Sequence, residues 1–513
     1  MNISQLAKLG QKAIKKLDNG DLKGALKLAY KIRSLGSVPI VPYMVSALLI
    51  DIGGAMENEE VVKEGVDMLQ KDFQAVVDYD APRAHYNLAN GYYALFRFKL
   101  MKDRYIGCFE KTELDQARFH YRRALEYDVQ DIALKSEAWV NLGNCFDTVG
   151  RVMDALECYE EALELKPDHG MALGNKGLAL SYYAALAGEH QSTFLIEAYS
   201  FLSKALQLGV PRETVPTFSK YIKDIVKQFP DKQILNKPPE YPGYTIKTSS
   251  EFDRFLQEFC LTNRLYLNIC NFCQRCDAAI GDTAVIRKMI VPVNKDSYFR
   301  FSAYLNQIKQ DYVTARFLLV LSKYEGLDLD FVDKYVRIIN TLDYSLHNIY
   351  IQLLKTSFKV FYDILDKIAC FVDDYLELGI SPTDIKFHTI WYSDRKTKKV
   401  RKKIKDTRSH CLNALFDIHK EFEKDGPYEK LRNTRNALTH RFVNIRMFQE
   451  DEEDMTEDTF IEQTLELARI VRNAIIYLLQ FVNIEENRKE AKTEGILLPR
   501  LAVELSDRFK TER

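Results

Sequence analysis

The chain has 513 residues, 46% hydrophobic and 28% charged, which is enough apolar material for two to four packed domains and excludes a disordered or fibrous protein. Lys and Arg total 72 against 73 Asp and Glu, so a net charge of -1 excludes a whole-molecule field that draws in nucleic acid or membrane, and any such attraction must be local. With only 22 Gly and 14 Pro the chain has few breakers, which favours an all-α protein over a turn-rich β design. Nine cysteines, an odd and sparse set, fit a reducing compartment without structural disulfides. No apolar run approaches the roughly 18 residues that span a bilayer, so a cytoplasmic protein without membrane contact is expected.

In chain order, the first strong pattern is an internal repeat. Between Ser136 and His169, Trp139, Leu142, Gly143, Phe146, Gly150, Ala155, Tyr159, Ala162 and Pro167 fall at the spacing of two antiparallel helices. The small residues let the helices approach, the aromatics fill the space between them, and Pro167 ends the second. This segment resembles a tetratricopeptide (TPR) repeat. Degraded copies flank it. Leu9, Ala13, Gly20, Ala25 and Ala29 make one, Pro42 to Phe73 a looser pair, and Leu88, Ala89 and Tyr92 pair with Ala117, Tyr121 and Ala124 across an insertion from Phe96 to Thr112. Leu173, Gly177 and Leu180 pair with Ala198, Leu202 and Ala205. One hairpin cannot bury its apolar face alone, so residues 1–235 are predicted to stack as a helical solenoid. Its concave groove would hold a protein or peptide ligand. Asn90 and Asn144, at equivalent positions, could bond an extended backbone there, although both can also belong to the repeat itself.

Pro230, Pro238, Pro239, Pro242 and Gly243 then stop helix formation, so 236–250 is predicted as a linker and 251–500 as a second helical domain. Helical periodicity returns at Phe252 to Leu267, Tyr304 to Tyr324, Tyr344 to Leu378, Lys405 to Lys424, Pro427 to Arg441 and Thr459 to Val482. Val285 to Val293 is β-branched enough for a short strand. Cys270, Cys273 and Cys276, with Cys260 nearby, suggest metal ligands at first, but with no second clean pair in a Leu/Tyr/Phe-rich stretch they read as buried thiols, and no metal or cofactor is expected. His388, His410 and His419 lack ligand spacing and read as structural. Two charge blocks stand out. Arg395 to Arg408 carries nine basic residues and Glu450 to Asp458 seven acidic ones.

Function is most legible from Pro427 to Arg441, where one helix would place Asn436 and His440 a turn apart with Arg435 about 100° round the axis. Arg435, Asn436 and His440, spaced R-N-x-x-x-H, resemble the signature of the HEPN superfamily, all-helical domains many of which are ribonucleases. Together with Tyr304 to Phe317, the motif makes the chain similar to bacterial proteins that join a TPR array to a C-terminal HEPN domain. The resemblance implies a catalytic core at about 340–490 and a metal-independent endoribonuclease acting as a homodimer, with a stress or phage-defence role for which the solenoid is the sensor. The residue chemistry agrees. RNA carries its own nucleophile, the 2′-OH, so cleavage needs a base, an acid and a cation at the phosphate, which imidazole and guanidinium supply. The products would be a 2′,3′-cyclic phosphate and a 5′-hydroxyl. The basic residues Arg395, Lys396, Lys398, Lys399, Arg401, Lys402, Lys403 and Arg441 are candidate contacts to the RNA backbone. The alternative is a non-catalytic TPR scaffold whose second half dimerises or binds RNA.

Overall fold

A computed structural model describes residues 3–35, 40–103, 109, 111–127, 130–187, 190–237, 243–273, 277–291, 297–449, 455–494, 506 and 510. It is all-α. Five helical hairpins run in sequence: α1 (Ile3–Asp18) with α2 (Leu22–Arg33), α3 (Ile40–Ala55) with α4 (Glu59–Lys71), α5 (Phe73–Lys102) with α6 (Thr112–Glu126), α7 (Ile132–Thr148) with α8 (Val152–Leu165), and α9 (Gly170–Ala187) with α10 (Gln191–Leu208). Then come α11 (Val215–Gln228) and the single turn α12 (Gln233–Asn236). Each predicted repeat copy is thus a helix pair stacked on its neighbours. Helix α5 breaks at Asp80 (φ -155°, ψ 82°), two residues before Pro82, and the Asp80 carboxylate caps the second segment by accepting from the Arg83 amide at 3.2 Å.

The repeat spacing has a steric cause. A Cβ on Gly143 would sit 2.6 Å from the Tyr159 ring, so α7 and α8 can meet at this distance only over glycine. Gly150, in the turn between them, has φ +85° and presses on the backbone carbonyl of His410, in the second half of the chain.

That half contains α13 (Glu251–Thr262), α14 (Ser297–Lys323), α15 (Ile349–Tyr375), the short α16 (Lys402–Asp406), α17 (His410–Glu421), α18 (Glu429–His440) and α19 (Glu457–Lys492). Two small two-stranded pairings interrupt the helices: β1 (Tyr392–Asp394) antiparallel to β2 (Lys399–Val400), and β3 (Ile445–Arg446) parallel to β4 (Met455–Thr456). Expected helix ends move where caps form. Asn348 accepts from the Ile351 amide at 2.9 Å, so α15 starts there rather than at Tyr344, and α13 stops at Thr262 because Arg264 takes φ 55°. The strand expected at Val285 to Val293 is not formed in its described part. Those backbone amides bond side chains of α19 instead, Arg287 to Asn483 Oδ1 at 3.4 Å and Ile290 to the Glu486 carboxylate, leaving no ladder. Helix α19 corrects another expectation. It holds an 18-residue stretch apolar enough to span a bilayer, but 83% of that stretch is buried inside the protein, where it forms the axis of the core.

The two halves share one continuous core. Their seam is ionic as well as apolar. Lys111, Arg118 and Arg151 from the solenoid converge on Asp417 and Glu421 of α17, all nearly inaccessible to water. Arg118 grips Asp417 through both guanidinium nitrogens at 2.6 and 3.0 Å, and Arg122 reaches Glu421 at 2.7 Å. Beside them the Tyr477 hydroxyl of α19 donates to Asp154 at 2.8 Å and accepts from the Met153 amide at 3.1 Å. Buried ion pairs survive desolvation only when fully hydrogen-bonded, as these carboxylates are.

Candidate active site on helix α18

The turn from α17 to α18 is tightly closed. Asp425 takes φ 64°, the Tyr428 amide donates to the Glu421 carbonyl at 2.9 Å, and the Asp425 amide donates to Glu429 at 2.8 Å. Helix α18 packs on α15, burying Leu431 and Thr434, whose hydroxyl bonds Gln463 of α19 at 3.1 Å. With that face inward, Arg435, Asn436 and His440 fall on the outer side. Arg435 is half-buried, whereas Asn436 and His440 are exposed, and His440 is the last helical residue. The backbone then leaves the helix at Arg441 and displays Phe442, which is 98% exposed. All three side chains therefore lie away from the face that packs on α15.

The Arg435 guanidinium lies over the Tyr362 ring of α15 at 5.2 Å, with Nη2 3.5 Å from Asp363 Oδ1 and Nη1 3.5 Å from Asn436 Oδ1. Its Nε is buried and has no hydrogen-bond partner. One turn along α15, Asp366 accepts from the Phe387 amide at 2.7 Å, and burial raises its carboxyl above the usual range. This tether brings His388 to the same flank, where it is exposed. Although the side chain reaches solvent, the protein around it partly desolvates the imidazole and lowers it; Asp366 opposes that, and Lys386, Arg395 and Arg432 add to it. Tyr362, Asp363, Asp366 and His388 lie 47 or more residues from Arg435 in sequence, and no spacing rule links them to it. Nothing in the sequence set Asp363 and Asp366 apart, because α15 is amphipathic and also carries Lys355, Lys359, Lys367, Asp373 and Asp374.

The other predicted residues divide. Arg395, Lys396, Lys399 and Lys402 are exposed on or beside the β1–β2 hairpin, and Arg441 is exposed at the far end of α18. Lys398 is paired with Glu423 at 2.8 Å, Lys403 donates to the Leu376 carbonyl at 3.3 Å, and half-buried Arg401 donates to the Ile390 carbonyl at 2.9 Å. The basic hairpin thus adjoins the start of α18 while His440 closes its end, roughly 18 Å away at 1.5 Å per residue. The acidic block lies outside the described residues at 450–454, and its remaining acids, Glu457 and Asp458, sit in the first turn of α19, where negative charge suits the helix dipole. His419 is buried against Trp391, bonds the Tyr392 hydroxyl at 3.2 Å, and is pushed down to about 3 by burial. Asn90 and Asn144 make equivalent bonds within the solenoid. Asn90 Oδ1 accepts from Tyr121 (2.6 Å) and Asn141 (3.2 Å), and Asn144 Oδ1 from Tyr159 (2.9 Å) and Asn175 (2.8 Å). Cys260 and Cys270 are buried, the Cys260 thiol pushed up to about 12 by burial, and Cys276 lies outside the described residues.

The fold is thus an α-solenoid followed by a helical domain that carries R-N-x-x-x-H on an exposed helix flank. The comparisons with known families specify both parts: residues 136–169 match the tetratricopeptide repeat, and residues 293–485 match the family described as LA2681-like HEPN. No curated protein matches the chain.

Proposed function

We propose that the protein is a HEPN-type endoribonuclease whose solenoid is the sensor. The observation that carries this reading is the half-buried Arg435, whose guanidinium edge makes only two long contacts of 3.5 Å, five residues before the exposed His440 on the same helix. A guanidinium whose Nη donors are so loosely held suits a phosphate oxygen, and an imidazole farther along the same helix can move protons. In the proposed step the 2′-OH gives its proton to a neutral imidazole as its oxygen bonds to phosphorus. The bond to the 5′-oxygen breaks, and that oxygen takes a proton from a protonated imidazole. The cyclic phosphate and free 5′-hydroxyl follow.

Two proton-transfer groups serve this step better than one, so we propose a homodimer that sets two copies of Arg435, Asn436 and His440 across a two-fold axis. Support comes from exposed apolar side chains in the segments before α15 and after α18. Tyr335, Ile339, Leu342, Phe442 and Phe448 are each at least 57% exposed, and the Tyr344 ring packs on Phe448 at 5.6 Å. Exposed apolar area of this kind marks an interaction site. A protein or peptide in the solenoid groove as the activating signal, and a cytoplasmic defence role, belong to the same proposal.

RNA incubated with the full chain in chelator should yield 2′,3′-cyclic ends, and His440→Ala should abolish them while thermal unfolding is unchanged. Mixing His440→Ala with Arg435→Ala then reports on composite sites through partial recovery. Cleavage at the wild-type rate by His440→Ala would sink the reading. RNA binding without cleavage under all conditions would leave the scaffold alternative.

A further inference from the structure

Two of the contacts that hold Arg435, those with Asp363 and Tyr362, come from outside its own motif. The edge contacts, to Asp363 and Asn436, are both 3.5 Å, long for hydrogen bonds, and Asp363 is 58% exposed, so water weakens that pair. The face contact, with Tyr362, is firmer because the ring is itself fixed. Tyr362 packs edge-on against Phe422 with centroids 5.6 Å apart, Phe422 packs on Tyr428 at 5.4 Å, and the Tyr428 hydroxyl lies 3.5 Å from Arg151 Nη2, in the solenoid. Helix α17, which leads into Phe422, is pinned by the Asp417 and Glu421 ion pairs. A row of aromatic rings thus runs from the solenoid to the guanidinium.

We propose that Tyr362 is the positioning residue for Arg435: its ring face fixes the plane of the guanidinium and so the direction in which Nη1 and Nη2, held only by two long contacts, meet a phosphate. The proposal rests on the ribonuclease reading of α18. The ring face attracts the cation through its quadrupole and stops the long side chain from sampling other rotamers. The hydroxyl has no part in this.

The test uses the full chain. Tyr362→Phe keeps the face, and Tyr362→Leu removes it while retaining apolar bulk. Tyr362→Phe should cleave RNA within about twofold of wild type, whereas Tyr362→Leu should lose on the order of 10²-fold in kcat with a smaller change in KM. In an Arg435→Lys background, whose ammonium has no plane to align, Tyr362→Leu should cost little more. Thermal unfolding of each variant separates this from a loss of fold. Wild-type kcat in Tyr362→Leu, or the same loss with Lys at position 435, overturns the proposal. If wild type and His440→Ala both fail to cut RNA, the ribonuclease reading has failed separately. Positioning is then read from the NMR resonance of Arg435 Nε–H, which should shift in Tyr362→Leu but not in Tyr362→Phe; an unmoved resonance overturns it.

Discussion

At the scale of single residues, three buried histidines set the response to acid. His85 Nδ1 and His120 Nδ1 are 2.7 Å apart, so one must donate and the other accept, and both are neutral. Burial and the neighbouring His85 push His120 down to about 4, and burial lowers His85 too. His419 is pushed down to about 3. The unfolded chain therefore binds more protons than the folded one below the ordinary histidine pKa. This part of the stability is complete above about pH 6.5 and is lost as the pH falls toward 4, by roughly 3 kcal/mol for each strongly shifted group. Urea midpoints measured between pH 7 and 4 should fall, and His120→Gln should flatten the curve. A profile that stays level, or that ignores the substitution, would contradict this. At this scale the sequence was partly legible. Arg435, Asn436 and His440 could be found because a helix converts spacing into direction. Tyr362 and His388 could not, because they reach the site through packing of distant elements, and His388, read as structural, stands exposed on the same flank.

Helices and their contacts come next. The repeat hairpins were readable because the approach of two helices constrains residue size at fixed offsets. Gly143→Val should force the α7–α8 contact apart and cost about 1–3 kcal/mol, the usual price of overpacking, seen as a lowered calorimetric midpoint. An unchanged midpoint would show that Tyr159 can swing away. Periodicity also located six of the seven helices described in the second half, the short α16 apart, but not their ends, which depend on capping by Asn348 and Ser409 and on left-handed residues such as Arg264. The strand reading at Val285 failed for a different reason. β-Branched composition reports a preference for extended backbone, and here that backbone finds its partners on α19 rather than on another strand.

For the whole molecule, the decisive feature is the seam. Asp417 and Glu421 looked like ordinary polar positions of an amphipathic helix, and nothing in their spacing showed that four basic side chains more than 260 residues away enclose them. Asp417→Asn leaves Arg118 and Arg151 short of a counter-charge in a dry interface, which should destabilise the chain by about 3–5 kcal/mol. Denaturation followed by fluorescence should show this as an earlier transition, or as two where the wild type has one; a wild-type curve would mean water enters the seam.

Such an arrangement also bears on how the gene can be divided. Cut free of the repeats, α17 would turn two unneutralised carboxylates and a fringe of aliphatic side chains toward the solvent, and the repeats would be left with an equally unsatisfied row of cations. Neither fragment should be self-sufficient, so another repeat array could be grafted onto α17 only if it brought basic side chains to match Asp417 and Glu421.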